Sequence, residues 1–136
     1  MTTAELARLL ADRLPAIDLH GVIVEEAEDQ DIRLRFPFRD ALLGPNDIFS
    51  GPTLLGFADT AIYAAGQAAL GADSVPLVST MSTTFLRPAQ ATDVVTLARV
   101  IRRGKSLLNA EAWLFNHTPV DPILHATATC VVRAWR

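Results

Sequence analysis

Ser50-Gly51-Pro52-Thr53-Leu54-Leu55-Gly56-Phe57-Ala58-Asp59-Thr60, continuing apolar to Leu70, is the stretch on which the reading of this chain turns. Pro52 suits the first helical position, where its missing N–H costs nothing, and Ser50 or Gly51 can cap the turn before it. Gly71 suits the position just past the end. The predicted helix is hydrophobic almost all round, so burial on most of its sides is expected. A membrane span is the weaker reading: the run has about 17 residues, holds Asp59 and two glycines, and lacks basic flanks. Asp59 is the one ionisable group in it. A carboxylate in apolar surroundings is costly unless paired or hydrogen-bonded, and its pKa tends to rise. Such a group is either a structural carboxylate, satisfied by Thr60 or a neighbouring backbone, or a reactive one.

Outward from the helix, the chain reads as strands. Residues 37–49 form a loop with Gly44, Pro45, Asn46 and Asp47 as turn formers, and Asn46 is a candidate binding residue because loops feeding a helix start often carry function. Before it, residues 17–28 and 32–36 alternate apolar and polar around a polar turn, which predicts an antiparallel hairpin with His20 on its wet face. Leu6, Leu9, Leu10 and Leu14 recur at helical spacing and predict a short amphipathic helix over residues 3–14, ended by Pro15. After the helix, residues 75–86, 93–103, 106–115 and 123–135 are β-rich and separated by short turns, and strands joined that way are antiparallel. The expected fold is α+β: a sheet of about five or six strands wrapped around one long helix, in a single domain spanning residues 1–136. Such a sheet leaves an outer face and an edge strand to be covered, so a homodimer, or a homotetramer built from it, is expected.

The composition narrows the partners. Hydrophobic residues make up 50% and charged residues 20% of the 136, a folded rather than a disordered profile. The net charge is −3 and no basic run exists, which argues against nucleic acid or an anionic membrane as partner. The single cysteine, Cys130, cannot close an internal disulfide, and no secretory signal is recognisable, so a cytoplasmic protein is expected. His117 and His125 lack partners at metal-ligand spacing, so no metal is expected.

Several short motifs, in their order and spacing, carry a resemblance. They are residues 46–52 (NDIFSGP), residues 55–61 (LGFADTA), Phe85-Leu86-Arg87-Pro88-Ala89 and Arg102-Arg103-Gly104-Lys105-Ser106. From about residue 17 to the C-terminus the chain resembles the hotdog fold, and more narrowly the PaaI-type acyl-CoA thioesterases of the phenylacetate-pathway kind. One departure is visible: relatives often carry His-Gly-Gly before the helix, where this chain has Ser50-Gly51-Pro52. Pro52 donates no hydrogen bond, so a donor that relatives supply there is absent.

The resemblance implies hydrolysis of an acyl-CoA thioester with no cofactor beyond the coenzyme A of the substrate; a non-catalytic acyl-CoA-binding module is the alternative. The residues fit that chemistry. Free N–H groups at the helix start can stabilise an oxyanion, and Gly51 lets a thioester approach the backbone. Asp59 can act as general base on water or as nucleophile. Gly51 and Asp59 are eight positions apart, about 12 Å along a helix, so one carbonyl cannot meet both within one chain. The oxyanion donor is therefore expected from one subunit and Asp59 from the other. Asn46, Ser50, Thr60, Ser79 and Thr80 are candidates to orient the thioester or the water. Arg87, Arg102, Arg103 and Lys105, the last three around the Gly104 turn, are candidates for the phosphates of coenzyme A.

Overall fold

The computed structural model describes every residue except His20, Asp29, Gln30, Asn46 and Asp47. Helix α1 spans Thr3–Arg13 and α2 spans Ala16–Leu19. Strands β1 (Ile23–Glu26) and β2 (Ile32–Phe36) precede the long helix α3 (Gly51–Leu70). Strands β3 (Ser74–Phe85), β4 (Val94–Arg103), β5 (Leu107–Phe115) and β6 (Leu124–Ala134) follow it. All six strands form one antiparallel sheet in the order β1-β2-β4-β5-β6-β3. With α3 packed against it, this is the hotdog fold expected from the sequence.

The helix is bounded as its sequence requires. Ser50 is the N-cap, its Oγ accepting from the Thr53 N–H at 3.3 Å, and Pro52 lies in the first turn. Gly71 takes a positive φ of 79° at the far end, a conformation that favours glycine. There Gln67, wholly buried, donates to the carbonyls of Gly71 and Ser74 at 2.7 and 2.9 Å, tying α3 to the start of β3.

Small residues let α3 lie close on the sheet. Ala98, Ala112 and Ala126 stand in register across β4, β5 and β6, and Ala110 and Ala128 form a second row, all buried. Leu54, Phe57, Ala58, Ala61 and Ile62 of α3 are buried in the same core cluster. Phe57 stacks on Phe36 of β2 with ring centroids 4.2 Å apart. Each large apolar side chain buried here contributes about 1.5–3 kcal/mol.

Two expectations fail. Residues 16–19 form α2 rather than the start of a strand, and β1 is only four residues long. Four residues are too few to tell a helical turn from a strand by their apolar positions, so alternation alone misassigns them. α3 is buried on most sides, as expected, but not at Asp59. Pro52 and Asp59 are exposed, and Leu55, Gly56 and Tyr63 are half-buried. These residues recur at three- and four-residue spacing and form one stripe, the face that a single sheet leaves open.

Candidate active site

The open stripe of α3 forms one wall of a cleft of about 400 Å³. Gly56, Asp59, Thr60 and Tyr63 come from α3, Pro76, Leu77 and Val78 from β3, and Leu14 and Asp18 from the N-terminal segment. Asp59 is thus not embedded in the core as expected; in the single chain it is exposed, at a cleft. Its carboxyl is nonetheless pushed above the ordinary aspartate range, first by partial burial against the walls and second by the negative charge of Asp18. No ion pair to Asp59 exists among the described residues.

The groups around Asp59 are set by the elements that carry them. Thr60 is buried, and its Oγ1 donates to the Asp18 carbonyl at 3.2 Å, fastening α2 to α3. Tyr63 is one helical turn beyond Asp59; burial raises its hydroxyl pKa, and the charge of Arg13 opposes that rise. Cys130 of β6 is buried, its thiol pushed up to about 11 by burial and then by Asp59. A thiol with that pKa is protonated at neutral pH and is no nucleophile.

The helix start lies apart. Gly51 is half-buried, and a Cβ built on it would stand 3.8 Å from Phe85 of β3, so the backbone there is approachable. As the first helical residue it has no intrahelical partner for its N–H, and none exists among the described residues. The helix is continuous from Gly51 through Asp59, so the separation of about 12 Å along its axis stands.

The remaining candidates scatter. Asn46 lies outside the described residues. Ser50 is engaged as the cap, its Oγ also 2.8 Å from the Thr53 hydroxyl. Ser79 and Thr80 are exposed at the irregularity of β3 between Val78 and Thr80, beyond the cleft lining. Arg87 pairs with Asp121 at 3.0 Å. Arg103 donates to the Ala69 carbonyl at 2.8 Å, where a cation meets the negative end of the α3 dipole. Gly104 closes the β4–β5 turn by donating to the Leu107 carbonyl, and Arg102 and Lys105 beside it are exposed. That turn is near Ala69, about 15 Å along the helix from Asp59. Asp18 and Tyr63 were not among the candidates. Tyr63 carried a signal, its i+4 spacing from Asp59; Asp18 carried none.

The family model described as the thioesterase superfamily matches residues 46–123, more than half of the chain. The chain belongs to the thioesterase superfamily, and its class is thioester hydrolase. It is 32% identical over 126 residues to a Halobacterium salinarum protein named "putative esterase", a match covering 87% of this chain and 80% of that one. The fold is shared with a Ralstonia eutropha protein described as a "putative thioesterase, phenylacetic acid degradation-related protein". That likeness has a TM-score of 0.79 at 24% identity, over 93% of this chain and 98% of the other. A Haemophilus influenzae thioesterase gives a TM-score of 0.83 at 17% identity, over 98% of this chain and 92% of that one. No helix among the described residues is long and apolar enough to cross a membrane, and no group of three potential metal ligands is found among them.

Proposed function

We propose that the protein hydrolyses a small or medium acyl- or aryl-CoA thioester, working as a homodimer or a homotetramer built from it. Asp59 serves as general base or nucleophile. The N–H of the partner subunit's Gly51 serves as oxyanion donor. The observation that carries this reading is the arrangement on α3: an acid at an open cleft, and an approachable N–H, without a partner among the described residues, about 12 Å away on the same rigid rod.

As base, Asp59 takes a proton from water while the water oxygen attacks the thioester carbonyl. The oxyanion so formed is held by the helix-start N–H, the C–S bond then breaks, and coenzyme A leaves as thiolate. As nucleophile, the Asp59 carboxylate attacks directly, coenzyme A leaves, and water hydrolyses the mixed anhydride. Both routes need Asp59 ionised and both end in a free acid. Closing a second chain over the open stripe would exclude water from the cleft and strengthen these interactions. The edge of β3 supports that pairing: it is unpaired on its free side and carries exposed Leu77 and Phe85. Of the candidate cations, Arg102 and Lys105 are exposed and without a partner among the described residues, which leaves them to meet coenzyme A phosphates. The buried, free Cys130 fits the cytoplasmic setting proposed for the protein.

The test is turnover across short, medium, long and aryl acyl-CoA substrates, with Asp59→Asn as control. A loss of about 10²–10⁴-fold in kcat with binding retained is expected. Full turnover by Asp59→Asn, or tight binding by the native protein without hydrolysis, defeats the reading.

A further inference from the structure

The Asp59 cleft contains a second carboxylate for which the hydrolysis scheme has no use. Asp18 comes from α2, a four-residue helix far from Asp59 in sequence, yet both line the same cleft. Its position is held by a specific bond: the buried hydroxyl of Thr60, the residue next to Asp59, donates to the Asp18 backbone carbonyl at 3.2 Å. Neither carboxylate forms an ion pair among the described residues. Arg13, at the end of α1, is occupied elsewhere, donating to the carbonyls of Ser74 and Ala72 and lying 4.2 Å over the Trp135 ring. Like charges in one cleft disfavour each other, so the arrangement acts on Asp59 directly.

We propose that Asp18 is a positioning residue for Asp59: α2, fastened by Thr60, holds a second negative charge over the cleft and thereby sets the pH at which Asp59 is ready to act. The proposal rests on the reading of Asp59 as the reactive carboxylate. Among the described residues, the other groups facing Asp59 do not supply that charge. Tyr63 on α3 keeps its proton at neutral pH, and so does Cys130 on β6. The β3 wall of Pro76, Leu77 and Val78 has no titratable side chain. Burial and the Asp18 charge both favour the protonated form of Asp59, in that order. Removing the Asp18 charge therefore lets Asp59 ionise at lower pH, extending activity towards acid.

The experiment compares the pH dependence of kcat/KM for the native protein and Asp18→Asn on one short acyl-CoA, beside a carbon-13 NMR titration of the Asp59 carboxyl in both. The acidic limb and the NMR midpoint are expected to move together to lower pH in Asp18→Asn, with plateau rates agreeing within about twofold. Thr60→Val, which frees α2, is expected to move both the same way, with Thr60→Ser restoring them. An unmoved midpoint in Asp18→Asn, or a move to higher pH, overturns the proposal. Native-like hydrolysis by Asp59→Asn would remove the catalytic reading instead, while the midpoint would still report whether the Asp18 charge reaches Asp59.

Discussion

The two edges of the sheet are built in opposite ways. At one, β1 has four residues, two of them glutamates, and its pairing with β2 is interrupted between Val24 and Glu26. Glu25, at that irregularity, takes Arg33 and Arg35 at 3.0 and 2.9 Å. A short, charged, bulged strand resists pairing with another chain. At the other edge, β3 has twelve residues and not one charge, and it displays Leu77 and Phe85. It also borders the cleft that holds Asp59. An edge of that length and composition is a template for another strand, and in the proposed dimer a second copy of β3 would bring a second α3 into reach. The contrast teaches that one edge is closed by its own side chains while the other is open, on the side of the Asp59 cleft, where the proposed dimer would need it.

The largest effect is expected from giving β3 the character of β1. Ser82→Lys with Thr84→Lys places cations on the exposed edge strand, opposite Thr127 and His125 of β6 and clear of the cleft. Each chain would then meet like charges on its copy. Light scattering should show monomers, and turnover should fall by about 10²–10³-fold, the effect of losing one oxyanion donor. A monomeric double variant with native turnover would break the link between this edge and the site.

A smaller effect tests how β3 is held. Gly66 of α3 faces Pro76, and a Cβ added there would stand 2.8 Å from the proline ring. A proline ring cannot swing aside, so α3 and β3 must separate, which costs about 1–3 kcal/mol and is only partly offset by alanine's helical preference of about 1 kcal/mol. Gly66→Ala is therefore expected to destabilise the fold by a net of up to about 2 kcal/mol, read as a lower urea midpoint at fixed protein concentration. Unchanged stability would mean that the contact between helix and open edge is looser than the structure has it.

Much of the fold was legible in the residues, and the contrast between its edges was not, for definite reasons. The caps of α3, Ser50 and Gly71, and the four strands after it are written locally, in turn residues and in period-two alternation. The openness of the Asp59 stripe is not. Hydropathy reports that a helix face is apolar, but not whether its own sheet or another chain covers it. The length of α2 defeats periodicity, and with it went the placement of Asp18, which depends on a tertiary bond from Thr60. Arg103 likewise reads as a free surface cation until the Ala69 carbonyl is found beneath it.

The smallest effect belongs to the closed edge. The carboxyl of Glu25 is held below its ordinary value, chiefly by the hydrogen bond from Arg35, with Arg33 adding to it. A depressed folded-state pKa stabilises the fold above the unfolded value and loses that contribution as pH falls through the folded one. Glu25→Gln should thus cost up to about 1 kcal/mol at neutral pH, and its acid-side stability loss should be shallower than the native protein's. Assembly and turnover should not change, because β1 lies at the far edge of the sheet from β3. Urea titrations at neutral pH and below the glutamate range, with light scattering alongside, read both halves. A change of oligomeric state in Glu25→Gln would mean that this one carboxylate, rather than the shortness and irregularity of β1, keeps that edge from pairing, and the two edges would then differ in degree rather than in kind.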